Sequence, residues 1–178
     1  MPPTILLLAS GRGERFLASG GQVHKLAALL NGKKILDWTL DAVRASGLPY
    51  HLEQQGLPGM GDSSAAAVRA TPNAEGWLIL PADLPLIQAS TLLKVAEQLQ
   101  ANQIVIPIFQ GQKGHPVGFG AAYFQALSQL QGKAGAASLI APHLVQKLEV
   151  ADAGCVMDID TVQDLQRVQE MAGIVRAF

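Results

Sequence analysis

The chain carries one cysteine, Cys155, so no disulfide can close within it, and the framework of a small disulfide-stapled domain is excluded. The plain reading of Cys155 is a small buried hydrophobe in a reducing compartment. Aromatic residues are scarce at 5% and charged ones amount to 15% against 49% hydrophobic, which excludes a disordered chain and leaves an ordinary globular composition. Neither sign of charge prevails: 14 acidic and 13 basic residues give a net charge of −1, with the basic ones scattered, so no nucleic-acid footprint is expected. The longest apolar run near the start, Ile5 to Ala9, is far too short to cross a bilayer, and no basic residue precedes it as in a secretory signal. These features lead us to expect a cytoplasmic protein without membrane contact, and the 178 residues fit one domain, 1–178.

Familiar site motifs are missing as well. No Gly-Lys-Ser/Thr follows Gly13, which excludes the phosphate-binding P-loop, and Phe16 stands where the dinucleotide-binding pattern needs a third glycine. There is no Gly-x-Ser-x-Gly for a serine hydrolase, and His24, His51 and His143 show no zinc-ligand spacing with one another or with Cys155.

What is present alternates between strand and helix patterns. Thr4 to Ala9, Trp77 to Leu80 and Gln103 to Phe109 are apolar runs of strand length, and Tyr50 to Glu53 and Val145 to Val150 are further strand candidates. Between them, Ile35 to Ser46 has the spacing of one buried helical face and stops at Gly47. Asp62 is placed to cap a helix from Ser63 to Ala70, and Ser90 to cap one through Gln100. Residues 111–120 predict a hairpin-like excursion, Ala122 to Leu130 and Gly135 to Ile140 short helices, and Cys155 to Ile159 a strand-like piece. Thr161, with Asp164 three residues on, opens the last helix with a capping box. Such alternation predicts a three-layer α/β/α fold around a mostly parallel sheet, with ligands bound beyond the carboxyl ends of its strands.

Candidate chemistry falls at those ends. In LASGRGERF the glycines Gly11 and Gly13 let backbone N–H groups approach an anion, and Arg12, Arg15 and Lys25 supply cationic donors. From the loop alone, a triphosphate cradle and a mobile basic turn both stand. Asp83, in PADLP, lies just past a buried strand, where it either reaches the ligand crevice or caps a turn. Asp158 and Asp160 in MDIDTVQDL project to one face if that segment is extended, so Asp83 with either of them would suit magnesium, which takes one or two carboxylates plus substrate phosphates. His115, between Gly114 and Pro116, is either a surface histidine in a rigid turn or a site residue.

Taken together and in order, LASGRGERF with Lys25, PADLP, GQKGHPVGF and DIDTVQDL resemble the nucleotidyltransferases related to molybdenum cofactor cytidylyltransferase and to molybdopterin-guanine dinucleotide synthesis. The likeness spans nearly the whole chain. It implies a Rossmann-like sandwich of the nucleotide-diphospho-sugar transferase kind, which moves a nucleotidyl group from a nucleoside triphosphate, CTP or GTP, to a phosphorylated acceptor such as molybdopterin, with Mg2+. By the same resemblance, Arg15 and Lys25 are catalytic. Ala9, Ser10, Gly11, Arg12, Gly13, Gly59, Gly61, Ser63 and Ser64 bind the nucleotide. Asp83 holds metal with Asp158 or Asp160, and His115 faces the acceptor. A partner molybdoenzyme or a homodimer is the association it suggests. Relatives fit a further strand and helix between Gly47 and Gly59, so the sheet is expected to be shorter by about one such unit. The alternative from another class is a nucleotide- or cofactor-binding accessory protein without turnover.

Overall fold

A computed structural model of the chain describes residues 2–11, 13–133, 135–140 and 145–176, the last four by backbone alone. The elements are β1 (Thr4–Leu8), α1 (Glu14–Ala18), β2 (Leu29–Leu30), β3 (Lys33–Lys34), α2 (Ile35–Ser46), β4 (Tyr50–Glu53), α3 (Met60–Ala70) and β5 (Gly76–Pro81). These are followed by α4 (Ala89–Gln98), β6 (Ile104–Phe109), β7 (Gln112–Lys113), β8 (Val117–Gly120), α5 (Phe124–Ser128), β9 (Val145–Glu149) and α6 (Val162–Arg176). Among the described residues the main sheet has seven strands in the order β4-β1-β5-β8-β6-β7, with β9 also on β6. Pairing of β1 with β4 and β5, and of β6 with β9, is parallel, whereas β8 runs against both β5 and β6. The sheet is therefore mostly parallel.

Alternation along the strands makes the layers. Ile5, Leu7, Leu78, Leu80 and Val105 enter one core with Ile35 and Val43 of α2, Leu92 and Val95 of α4 and Val168 of α6. Their neighbours Leu6, Leu8, Trp77, Ile79, Ile104 and Ile106 enter the opposite core with Ala67 and Val68 of α3 and Leu127 of α5. Successive side chains point to opposite faces, so a stretch buried on both must be apolar throughout, as β1 is from Ile5 to Leu8. Burying each such Leu or Ile stabilises the fold by about 1.5–3 kcal/mol.

Several predicted ends hold. The last turn of α2 closes on Gly47 at φ 72°, and the Thr161–Asp164 box forms, with Asp164 N–H donating to Thr161 Oγ1 at 3.1 Å and Thr161 N–H to Asp164 Oδ2 at 2.9 Å. Others are corrected. α3 begins at Met60 on Gly59 with no side-chain cap, because Asp62 Oδ2 instead accepts from Gly132 N–H at 3.2 Å. The α4 cap is likewise not Ser90: buried Asp152, from a distant segment, takes Gln88 N–H at 3.0 Å and Thr91 Oγ1 at 2.7 Å. The expected helix over Gly135 to Ile140 is a 3-10 turn at Ala136–Leu139, and the one from Ala122 shrinks to α5 behind a 3-10 turn at Ala121–Tyr123. Instead of a strand, Cys155 belongs to a 3-10 turn at Ala153–Val156, capped by Asp152.

Between α2 and α3 the chain supplies only β4, and among the described residues no strand pairs with its outer edge, so β4 ends the sheet. The carboxyl ends of β1, β4 and β5 share one rim. Because β8 is antiparallel to β5, its beginning, preceded by His115, lies on that same rim.

Candidate active site

The rim is built by bonds between segments far apart in sequence. Just past β1, Ala9 N–H donates to Glu53 C=O at 2.9 Å, and the buried hydroxyls of Ser10 and Ser63 lie 2.5 Å apart, tying the opening loop to α3. Gly13 caps α1 in the left-handed region at φ 66°, a conformation that favours glycine. His24 braces this loop. Its Nδ1 accepts from Leu26 N–H at 3.2 Å, which leaves the proton on Nε2 to donate to Gly11 C=O at 2.5 Å.

That bracing sets Lys25 at the start of a 3-10 turn, Lys25–Ala27, aimed across the rim. Lys25 Nζ lies 2.9 Å from Asp83 Oδ2 and 3.9 Å from Asp160 Oδ1, while Arg15 Nη1 lies 2.8 Å from Asp160 Oδ2. The bond from Asp160 raises the Arg15 pKa above its ordinary value. The two acidic segments are stitched by Ile159 N–H to Asp83 C=O at 3.0 Å, with Ile159 wholly buried. Asp158 and Asp160 therefore share a segment but have different surroundings: Asp160 borders the basic loop, whereas Asp158 lines a separate hollow with Met157, Asp164 and Arg167. Burial, and then the nearby Asp83 charge, push the Asp158 carboxyl up. Burial likewise lowers the His115 pKa, against the pull of Asp83 and Asp158, and favours the neutral imidazole.

A groove of about 510 Å³ runs between the opening loop and the start of α3, lined by Ser10, Gly11, Gly13, Arg15, Lys25, Gly59, Ser63 and Asp160. Of the residues expected at a nucleotide, Ala9, Gly61 and Ser64 stand back from this wall. Ala9 is spent on the β1–β4 junction, Gly61 N–H donates to Gly132 C=O at 2.8 Å, and Ser64 faces a second cavity. Arg12 lies outside the described residues. Six lining residues were not singled out, Leu8, Glu14, Leu57, Pro58, Met60 and Lys133, and neither was His24 as a brace. Lys133 had a readable signal, a lysine among glycines in QGKAG; His24 had none.

The lining suits a chain of phosphates, with glycines that let backbone come close and an ammonium and a guanidinium ion on one groove. Among the described residues no three carboxylate, histidine or cysteine side chains form a ready metal cluster. Asp83 Oδ1 is nevertheless buried without a hydrogen-bond partner beside Asp158 and Asp160, a donor set that fits a hard divalent cation taking its remaining ligands from substrate.

Residues 42–149, more than half of the chain, match the model of the MobA-like NTP transferase domain. The chain belongs to that family. The match leaves the opening loop and the Asp158–Asp160 segment outside it. No curated protein matches the sequence. Among solved structures, the fold is similar to that of an Rv0371c homologue from Mycobacterium sp. strain JC1, at 25% identity and TM-score 0.78 over 98% of both chains. It is also similar to Rv0371c of Mycobacterium tuberculosis H37Rv in complex with manganese, at 22% identity and TM-score 0.76 over 96% of this chain and 99% of that one. A third likeness is to molybdopterin-guanine dinucleotide biosynthesis protein A from Archaeoglobus fulgidus, at 17% identity and TM-score 0.64 over 96% and 98%. Among the described residues no helix is long and apolar enough to cross a membrane.

Proposed function

We propose that this NTP transferase passes a nucleotidyl group from a nucleoside triphosphate, CTP in the first instance and GTP as the alternative, to a phosphorylated small molecule, with molybdopterin the acceptor that its motifs suggest. The observation that carries the reading is the convergence of Lys25, Arg15, Asp83 and Asp160 beside one glycine-lined groove.

The triphosphate lies along the loop from Ser10 to Arg15, with its base toward Ser63 and Gly59. Asp83 and Asp160 would hold Mg2+, which neutralises phosphate charge and orients the triphosphate. An oxygen of the acceptor phosphate attacks the α-phosphorus; the new P–O bond forms as the bond to the β-phosphate breaks, and the electron pair leaves on pyrophosphate. The nucleophile is already an anion, so no side chain must remove a proton. Lys25 and Arg15 instead offset charge that builds on the α-phosphate and the leaving group. His115, neutral and on the same rim, faces the acceptor without adding a further positive centre.

Pyrophosphate release from the purified protein with Mg2+, each nucleoside triphosphate in turn and molybdopterin tests the proposal. Release is expected with CTP or GTP. Tight nucleotide binding without release, with molybdopterin or with other phosphomonoesters, would instead establish the accessory binding role.

A further inference from the structure

Beside the groove, and sharing with it the side chains of Met60 and Lys133, lies a second cavity of about 150 Å³. Its wall is almost wholly apolar, with Ile79, Val117 and Phe119 from the sheet on one side and Ala136 with Ile140 on the other. Among the described residues, only Ser64, His115 and Lys133 bring polar side chains to it. The strands contribute side chains that elsewhere fill the core between β5, β8 and α5, whereas the 3-10 turn at Ala136–Leu139 covers them with nothing larger than alanine at its first two positions. An enclosed apolar cavity of this size holds a benzene-sized molecule, so this one, open toward the groove, has room for an apolar group of about that size.

We propose that this cavity is the acceptor subsite, and that the acceptor is a phosphomonoester with a compact apolar body of about six carbon atoms. The inference rests on the nucleotidyl-transfer reading of the groove and specifies its second substrate. The phosphate stays at the junction, where Lys133 serves both spaces, and so meets the α-phosphate of the nucleotide. The apolar body fills the cavity, and His115, whose Nδ1 is buried without a partner, provides a hydrogen bond to a hydroxyl beside it. A fused pterin is larger and edged with N–H and C=O groups that this wall would leave unpaired, so molybdopterin could use the subsite only with its rings outside.

The junction is held by close backbone packing. Gly61 N–H bonds to Gly132 C=O at 2.8 Å and Asp62 accepts from Gly132 N–H, so residues 131–133 sit directly on the start of α3. Lys133 is thereby fixed next to Gly59 and Met60 of the groove wall.

Calorimetric titration of the whole chain with benzyl phosphate and with glycerol phosphate decides the matter, paired with titrations of CTP and GTP in Mg2+. Benzyl phosphate is expected to bind about tenfold more tightly than glycerol phosphate. Ala136→Leu and Ala137→Phe fill the cavity from two positions, and each is expected to weaken benzyl phosphate by about tenfold with nucleotide affinity held within about twofold. Lys133→Met should weaken both esters to a similar degree. Equal affinity of the two esters for the wild-type chain, a comparison that does not depend on any variant folding, overturns the proposal. So does unchanged benzyl phosphate binding in a folded cavity-filled variant. Failure of every nucleoside triphosphate to bind overturns the reading of the groove instead, and leaves the ester comparison to judge the cavity alone.

Discussion

Lys25 Nζ donates to Asp83 Oδ2 at 2.9 Å across 58 positions of sequence, and both side chains are about 85% covered. The pair forms where β1 and β5 end side by side, so the sheet itself brings a cation from the opening loop to the carboxylate of PADLP. In that setting each charge needs the other. Asp83 keeps one further oxygen, Oδ1, buried and without a partner, so a divalent ion and Lys25 can share the carboxylate.

Breaking this pair should separate stability from turnover. Lys25→Met leaves Asp83 with no mate and is expected to cost about 3–5 kcal/mol in urea unfolding, and Asp83→Asn less, because Asp160 still lies 3.9 Å from Lys25. The double variant should recover most of that loss. Turnover should fall by about 100-fold or more in all three, since each lacks a contact to transition-state charge. A double variant that regained pyrophosphate release along with stability would show the pair to be structural.

Metal removal offers a second check. Chelation should stop pyrophosphate release, and Mn2+ binding in the presence of CTP, followed by water proton relaxation, should weaken about tenfold in Asp83→Asn and in Asp160→Asn. Asp158→Asn should weaken it less than Asp160→Asn, because Asp158, though close enough to feel the Asp83 charge, lines a different hollow. A larger effect at Asp158 than at Asp160 would reverse the assignment.

Gly61 tests the floor beneath Lys133. A Cβ there would stand 2.8 Å from the carbonyl oxygen of Gly132 and 2.9 Å from that of Gln131, so one backbone must yield. Gly61→Ala should cost about 1–3 kcal/mol, a fall in Tm of about 2–12 °C, and should loosen nucleotide binding as residues 131–133 shift. An unchanged melting curve would contradict the packing described.

The cap of α6 gives a pH dependence with a definite sign. Burial works to raise the Asp164 pKa, but N–H groups of Asp160 and Thr161, the Thr161 hydroxyl and Arg167 outweigh it, and the folded value lies below the ordinary one. The unfolded chain then binds the proton more tightly. The cap's contribution is complete above the unfolded pKa of about 3.9 and is lost as pH falls through the folded value. Asp164→Ala should therefore cost about 0.5–2 kcal/mol at pH 7, by urea unfolding, with the gap narrowing toward pH 3. A constant gap would remove the carboxylate from the account.

Much of this was readable locally. The stops at Gly47 and the Thr161–Asp164 box follow from short-range geometry, which is why both ends were anticipated. Asn31-Gly32 was readable but was missed: both have positive φ, 50° and 82°, and turn β2 into β3, as that dipeptide does in tight hairpins. The caps expected of Asp62 and Ser90 failed for another reason, since Gly132 and Asp152 came from distant segments to meet the same groups. Ser63 and Ser64 show the limit well. Neighbours on a helix differ by about 100° in direction, so one faces the groove and the other the second cavity, and only the register of α3 on the sheet chooses.

The residues alone determined the alternation of strand and helix, the apolar strands buried on both faces, and the chemical kinds gathered in the opening loop, PADLP and the Asp158–Asp160 segment, because these depend on periodicity and on the nature of side chains. Which of those groups meet was decided by the folded chain. The order of strands, the reversal of β8 and the Ile159-to-Asp83 bond bring Lys25, Asp83, Asp160 and His115 to one rim, and residues 131–133 onto α3. Such meetings depend on contacts between segments dozens of residues apart, and local sequence carries no record of them.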